Sequence, residues 1–261
     1  MRSAGLAWGK MAPTRLAKVT TSLNCSSPLT KPSPDSAPAV IFDMDGTLFD
    51  TEPLYCEAYR RALEEQGIQL DPEHYHRSLA GTTNHNLEQS FVEVYGCAFD
   101  LARYRSTWQG HFGEIVGDRG IHFMPGIALL LEALAERQVR LAVASSSDRR
   151  EIEHFLSLTK IHHRFTAIAA GDEVRAGKPD PEIFLLAASR LGVDPSNCIA
   201  IEDSNHGVAA AHAAGMTVVM TPSPAGASIA SKERAAIATD VCAVVVEKWE
   251  MLQSGGGRSA S

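Results

Sequence analysis

One short stretch limits the possible folds of this chain more than any other. An apolar run, Val40 to Phe42, ends abruptly at two carboxylates, Asp43 and Asp45, with Gly46 behind them. Such a run predicts a buried strand of a parallel sheet, delivering its acidic residues to the carboxyl edge where α/β proteins bind ligands. Residues two apart on a strand share a face, so both carboxylates would face one small ligand. Because they repel each other, either a divalent cation neutralises them or one holds a proton. The alternative is a solvated aspartate-rich turn after an ordinary strand.

Size and charge restrict the classes of function. The chain has 261 residues, 44% of them hydrophobic, which suffices for one or two domains with a buried core. No apolar stretch is long enough to span a bilayer. The net charge of -7 and the scattered Lys and Arg argue against a nucleic-acid surface. We therefore predict a small soluble partner, no nucleic acid and no membrane. We also expect a monomer.

The first 36 residues differ from the rest in composition. They are rich in Ser, Thr and Pro, with no acidic residue before Asp35. This predicts disorder and also fits an organellar transit peptide, while a wrongly assigned start codon, with Met11 or a later site as the real start, is the alternative. The five cysteines are odd in number and widely spaced, and we interpret them as buried thiols in a reducing compartment. The predicted location is the cytoplasm, or a chloroplast or mitochondrion if residues 1–36 are a transit peptide.

The hydrophobic pattern changes along the chain. Residues 54–122 have helical spacing and no strand pattern. From Pro125 onward, helix patterns alternate with strand patterns at 139–144, 166–170, 198–201 and 217–220, and 241–246 suggests a last short edge strand. Repeated βα units of this length imply a parallel sheet with right-handed crossovers.

The predicted fold is therefore α/β, a Rossmann-like parallel-sheet core with an inserted helical cap. The predicted segments are a disordered or targeting segment 1–36, a core 37–53 and 123–250, a cap 54–122, and a flexible tail 251–261.

A hydroxyl side chain, Ser145, follows the apolar strand pattern 141–144, with Ser146 and Ser147 behind it. A hydroxyl at a strand end, next to the backbone N–H groups of a helix start, can hold a phosphate oxygen. The same residues are also common in helix caps. Position in the predicted sheet, rather than residue type, favours the phosphate site.

Lys178 lies in a Gly-Lys-Pro-Asp-Pro run, residues 177–181, just ahead of a predicted helix. A fixed cation there would neutralise charge shared by an attacking carboxylate and a transferring phosphoryl group. The alternative is an ordinary surface lysine.

Two further acidic residues, Glu202 and Asp203, end the strand pattern 198–201. Together with Asp43 they would complete an oxygen-only site for Mg2+, which prefers carboxylates, carbonyls and waters in octahedral array. A helix N-cap by Ser204, with acids near the positive end of the helix dipole, is the alternative. The two interpretations are compatible.

These four stretches, in this order, resemble the four signature motifs of the haloacid dehalogenase (HAD) superfamily of phosphotransferases. The octapeptide 43–50 resembles the first motif and Ser145 aligns with the second; residues 177–181 resemble the third and residues 201–216 the fourth. The resemblance covers residues 40 to about 221. It is closest to the subgroup with a helical cap between motifs one and two, which includes sugar-phosphate phosphatases and β-phosphoglucomutase.

The resemblance implies a Mg2+-dependent phosphatase that hydrolyses a small phosphorylated metabolite, a sugar or polyol phosphate, through an aspartyl-phosphate. Asp43 would be the nucleophile. Asp45 would protonate the leaving alcohol and then deprotonate the hydrolytic water. Ser145 and Lys178 would hold the phosphoryl oxygens.

The resemblance also implies a ligand set. Mg2+ would be held by the Asp43 carboxylate, the Asp45 main-chain carbonyl and Asp203, with Glu202 acting through water. The expected substrate-binding residues, which come from the cap and from motif two, are Glu52, Gly81, Thr82, Thr83, Asn84 and Ser146. The small polar residues 81–86 would hydrogen-bond the hydroxyls of a sugar or polyol.

Two other interpretations of the same residues are a different reaction and a protein without catalytic activity. The first is a haloacid dehalogenase reaction. The dehalogenase branch of the superfamily needs no metal and lacks the second aspartate of motif one, so the presence of Asp45 counts against this reaction. A non-catalytic HAD-fold binding protein would have lost at least one motif residue, and none is missing.

A β-phosphoglucomutase-like phosphomutase is the main alternative. A mutase must hold a second phosphate, which calls for cationic groups in the cap loop and beside motif two. Here those positions are Asn84 and Asp148, and the hinge position that is a histidine in the mutase is Tyr55. Arg149 and Arg150 would partly compensate.

Overall fold

The computed structural model describes residues 37–71, 75, 84–222 and 226–255. In this part of the chain the strands are β1 (Ala39–Phe42), β2 (Arg140–Ser145), β3 (Ala167–Ala170), β4 (Cys198–Glu202), β5 (Thr217–Met220) and β6 (Ala236–Ile237). They form one parallel sheet in the order β3-β2-β1-β4-β5-β6. The predicted disordered segment 1–36 lies outside the described residues.

The helices follow the predicted alternation. They are α1 (Glu52–Glu64), α2 (Asn84–Tyr95), α3 (Leu101–Arg119), α4 (Ile127–Glu136), α5 (Arg149–Leu158), α6 (Glu182–Leu191), α7 (Asn205–Ala213), α8 (Ile229–Arg234) and α9 (Val241–Gly255). Between residues 54 and 122, the described part contains helices and no strand. Among the described residues, no helix is both long and apolar enough to cross a membrane.

Both faces of the sheet are covered. Val40 and Phe42 pack into the core on one face, and Ala39 and Ile41 pack into a second core on the other. All four side chains are fully buried, as expected for a central parallel strand whose side chains alternate between two helical layers. The predicted α/β Rossmann-like fold is thus confirmed.

Strand order brings distant motifs to one edge of the sheet. β1 lies between β2 and β4, with Phe42 level with Val143 on one side and Ile201 on the other. The backbone N–H of Asp43 donates to the Ile201 carbonyl at 2.9 Å, so the chain is still paired with β4 where the carboxylates begin.

The predicted cap is held together by aromatic side chains. Tyr55 on α1 stacks on Phe112 of α3, with ring centroids 4.4 Å apart and ring planes at 13°. Tyr59 packs against Trp108 at 5.3 Å. Aromatic pairs of this kind contribute roughly 0.5–1.5 kcal/mol each beyond the area they bury. They fix the position of α1 on α3.

Three predictions made from the sequence are wrong in detail. The apolar run 241–246 forms the start of α9 instead of an edge strand, because Asp240 accepts from the Ala243 N–H and the buried residues recur every four positions, at Val241, Val245 and Trp249. Helix α9 continues to Gly255, into the predicted flexible tail. The cysteines are not uniformly buried, since Cys97 is exposed.

Candidate active site

Lys178 lies between two buried carboxylates. Its Nζ donates to Asp43 Oδ1 at 2.5 Å and to Glu202 Oε1 at 2.6 Å. The Lys178 side chain is 8% exposed, which excludes an ordinary surface lysine. Burial alone would lower the pKa of Lys178, but the charges of Asp43 and Glu202 raise that pKa above its ordinary value. The lysine is therefore a fixed cation at the end of β1.

The carboxylates around this cation outnumber it. Burial and the nearby charge of Glu202 raise the pKa of Asp43 to about 7, against the opposing influence of Lys178. Burial, with the charges of Asp43 and Glu202, raises the pKa of Asp203 well above its ordinary value. One lysine thus faces three carboxyl groups, and the site has an excess of negative charge for a cation to neutralise.

The donor set fits a divalent cation. Asp43, Glu202 and Asp203 each offer a carboxylate oxygen, and the three oxygens lie within 4.8 Å of one another. Hard oxygen donors with excess negative charge suit Mg2+, which also keeps several waters. The residues present therefore fit the metal that the family resemblance implies.

Glu202 has other partners besides Lys178. Its Oε2 accepts from the backbone N–H groups of Asp203 and Ser204, at 3.2 and 3.1 Å, and from the Ser204 hydroxyl at 3.0 Å. These bonds favour a role in holding Lys178 and the loop over direct metal binding. The Ser204 hydroxyl also accepts from the Gly207 N–H, so the helix-cap interpretation of this motif holds together with the acidic cluster.

Two glycines permit this crowding of acids. A Cβ on Gly46, whose φ is +75°, would lie 2.4 Å from Asp203 Oδ2. A Cβ on Gly207 would lie 1.9 Å from the Glu202 carboxyl carbon. Any larger residue at either position would displace a carboxylate of the site.

Asp45 is held by two hydroxyl groups. Thr51 donates to Asp45 Oδ1 at 2.8 Å and Ser147 donates to Asp45 Oδ2 at 3.0 Å. Burial raises the pKa of Asp45, and the hydrogen bonds from Thr51 and Ser147 oppose that rise. A carboxyl group with a raised pKa is suited to holding a proton that it later transfers.

The serines of motif two divide their contacts. Ser145 is buried, and its Oγ accepts from the Ser147 N–H at 3.1 Å. Ser146, which was expected to bind substrate, is exposed. Its backbone lies so close to Gly171 that a Cβ on that glycine would collide with it. Ser147 reaches Asp45, a contact that the sequence analysis missed. The available signal was the spacing, since Ser145 and Ser147 are two apart.

Two other contacts were missed. Thr51 follows the octapeptide directly, and a threonine there carries no sequence signal beyond its proximity. Tyr55 was noted only as a departure from histidine, but its hydroxyl donates to Glu151 Oε1 at 3.0 Å. Glu151 is the third residue of α5, in the first helical turn after motif two, where acidic residues are common because they interact favourably with the helix dipole.

The expected cap residues have a mixed outcome. Glu52 begins α1 and is half-buried. It accepts a hydrogen bond from the Tyr75 hydroxyl, and this bond raises the pKa of Tyr75 in addition to the larger influences of burial and of the Glu52 charge. Asn84 begins α2, and its side chain is outside the described part of the chain, as are Gly81, Thr82 and Thr83. Their roles in binding substrate remain predictions.

The fold and this site define a class of α/β proteins in which two aspartates, here Asp43 and Asp45, lie at the carboxyl edge of a parallel sheet. A model of the haloacid dehalogenase-like hydrolase family matches residues 40–221, and the chain belongs to this family. The predicted family and the predicted enzyme class, a HAD phosphatase, are thereby confirmed.

Several known proteins are similar to the chain. The phosphorylated carbohydrates phosphatase of Thermotoga maritima is 37% identical over 182 residues, which are 68% of this chain and 82% of that protein. The fructose-1-phosphate phosphatase of Escherichia coli is 34% identical over 184 residues, covering 69% and 94%. The crystal structure of CbbY from Rhodobacter sphaeroides in complex with phosphate has a TM-score of 0.63 at 30% identity, covering 71% and 86%.

Proposed function

We propose that the protein is a Mg2+-dependent phosphatase that hydrolyses a small phosphorylated carbohydrate through an aspartyl-phosphate. One observation carries the proposal. The Asp43 carboxylate stands at the end of β1, paired with the fixed cation Lys178, while Asp45 two residues later is held by Thr51 and Ser147. This arrangement supports the proposal, because a carboxylate suited to nucleophilic attack and a carboxyl group suited to proton transfer lie at one edge of the sheet.

The residues divide the chemistry between them. Asp43 attacks the phosphorus atom, and Lys178 compensates the negative charge that the carboxylate shares with the transferring phosphoryl group. Asp45 donates a proton to the oxygen of the leaving alcohol, and then accepts a proton from the water that hydrolyses the aspartyl-phosphate. Mg2+, held by Asp43 and Asp203 with the Asp45 carbonyl, would neutralise phosphoryl oxygens when bound.

The relatives support the class of substrate. The Thermotoga protein is named for phosphorylated carbohydrates and one Escherichia coli relative for fructose 1-phosphate; another Escherichia coli relative, 29% identical over 197 residues, is a hexitol phosphatase. These substrates share a phosphate monoester on a polyhydroxylated carbon chain. We extend that chemistry to this protein, with a neutral polyol as the leaving group.

Hydrolysis is favoured over phosphoryl transfer within a mutase by the contacts of Arg149. Its guanidinium Nε and Nη2 donate to Glu173 at 3.0 and 2.9 Å, and Nη1 donates to Glu153 at 3.3 Å. Engaged in this way, Arg149 does not supply the cation that a second phosphate would need. Asp148, at the position next to it, is exposed and acidic.

Product analysis tests this choice. With β-glucose 1-phosphate, Mg2+ and a trace of glucose 1,6-bisphosphate, we expect inorganic phosphate to be released in step with substrate loss. Both inorganic phosphate and glucose 6-phosphate are measured over time. Glucose 6-phosphate accumulating without phosphate would overturn the phosphatase proposal in favour of the mutase.

Removal of the metal should abolish hydrolysis. With p-nitrophenyl phosphate as substrate, EDTA is expected to eliminate turnover, and excess Mg2+ should restore it, because the crowded carboxylates require a cation. Ca2+ should restore little of this turnover, since its larger and more flexible coordination shell misplaces the nucleophile. Full turnover in EDTA would contradict the metal assignment.

A further inference from the structure

A hydrogen bond joins the predicted cap to the core beside the candidate site. The Tyr55 hydroxyl on α1 donates to Glu151 on α5, between residues 96 positions apart in the chain. Both side chains are half-buried. Neither residue belongs to the four family motifs.

Aromatic packing holds this pair in place. The Tyr55 ring stacks on Phe112 of α3, and Phe112 in turn lies 5.9 Å from Phe155 of α5. Phe155 is four residues after Glu151, which places it one helical turn further along α5. The hydrogen bond and the ring stack therefore connect the same helices, and the carboxylate of Glu151 has a defined position.

That position is close to Asp45. Ser147 donates to Asp45 Oδ2 at 3.0 Å, and Glu151 follows Ser147 by four residues, in the first turn of α5. Burial, followed by the charge of Asp45, raises the pKa of Glu151 to about 7, while the hydrogen bond from Tyr55 acts in the opposite direction. Glu151 is thus close enough to the proposed proton donor, Asp45, for the charges of the two carboxyl groups to interact.

The largest charge effects on Glu151 come from two carboxylates. Asp45 and Asp148 both raise the pKa of Glu151 by their charges. Arg149, the neighbouring cation on the same helix, is turned toward Glu173 and Glu153. A ligand group placed here meets carboxylates, which accept hydrogen bonds from hydroxyl groups and repel phosphate.

We propose that Glu151, held by Tyr55, selects the leaving group by accepting hydrogen bonds from the hydroxyls of a neutral polyol and repelling a second phosphate. This inference rests on the proposed function, because it places the alcohol of the substrate beside Asp45. It makes the enzyme selective for monophosphates over bisphosphates of the same sugar. The selectivity arises from a carboxylate that disfavours the wrong ligand as well as from contacts to the right one.

Calorimetric binding tests the selectivity without turnover. Dissociation constants for glucose 6-phosphate and glucose 1,6-bisphosphate are measured at pH 8, above the pKa of Glu151, with Ca2+ in place of Mg2+, because Ca2+ is expected to support little hydrolysis of either sugar phosphate. We expect Glu151→Gln to lower the ratio of the bisphosphate constant to the monophosphate constant by at least about tenfold, because one repulsive charge is lost. Glu151→Asp keeps the charge and should keep most of the discrimination.

A matched control lies on the same helix. Glu153→Gln removes an equal charge two residues away, where the carboxylate contacts Arg149 at 3.3 Å. Its ratio should equal that of the wild type. An equal ratio in Glu151→Gln and Glu153→Gln would overturn the inference, as would the absence of measurable binding of both sugar phosphates to the wild type.

Two further measurements separate the possible failures. If Glu151→Gln does not fold, Glu151→Ala should lower the same ratio and also weaken monophosphate binding, and an unchanged ratio there would overturn the inference. Turnover of p-nitrophenyl phosphate by the wild type is measured in parallel. A changed ratio without any turnover would contradict the proposed phosphatase function while supporting the role of Glu151 in selecting ligands.

Discussion

Replacing Asp43 with asparagine is expected to lower turnover by at least about a thousandfold, because the amide is not a nucleophile toward phosphorus. The same change should leave the melting temperature unchanged or raise it. Asp43 has a pKa raised to about 7 by burial and by the charge of Glu202, so its ionised form is under repulsion. Removing that charge relieves the repulsion, while Lys178 keeps its bond to Glu202.

The measurement is turnover of p-nitrophenyl phosphate together with thermal unfolding of the wild type and of Asp43→Asn. Asp50→Asn is the matched control, since Asp50 closes the same octapeptide but is exposed. It should change stability by no more than about 0.5 kcal/mol. Turnover in Asp43→Asn close to that of the wild type would refute the nucleophile assignment.

Lys178→Met should abolish turnover and, unlike Asp43→Asn, should strongly destabilise the protein. The Lys178 side chain is 8% exposed, and its partners Asp43 and Glu202 are 9% and 0% exposed. Without the lysine these carboxylates remain buried without their cation. Breaking a buried pair of this kind costs roughly 3–5 kcal/mol of unfolding free energy.

Chemical denaturation in EDTA measures this loss without a metal ion to compensate for it. Lys232→Met is the control, because Lys232 is an exposed lysine of α8. We expect the control to stay within about 0.5 kcal/mol of the wild type. A Lys178→Met protein as stable as the control would show that the two carboxyl groups are protonated in the native state, and the charge assignment would then be wrong.

Much of the fold follows from local sequence signals. The strands of the sheet and the helices around it were predictable because apolar runs, helical spacing of apolar residues and turn residues are signals contained in short stretches of sequence. The strand pattern 217–220 coincides with β5, and the strand pattern 198–201 is extended by one residue in β4. The motif residues were predictable for a related reason, since a strand that ends in carboxylates delivers them to the sheet edge whatever its neighbours are.

The apolar run 241–246 marks the limit of local signals. Its β-branched residues suit a strand, and periodicity over six residues does not distinguish a strand from a buried helix. The outcome depended on which side chains meet the core. The segment forms a helix because this conformation buries Val241, Val245 and Trp249 together against α4 and the sheet.

The sequence by itself determined the family and the positions of its four motifs, because residue types and their order along the chain are sufficient to predict both. Only the tertiary structure decided their partners. Placing β1 between β2 and β4 brings Asp43 level with the ends of both neighbours, and Lys178 reaches Asp43 across 135 positions of sequence. The pairing of Tyr55 with Glu151 has the same origin. Contacts between distant segments depend on strand order and helix packing, which no local pattern encodes.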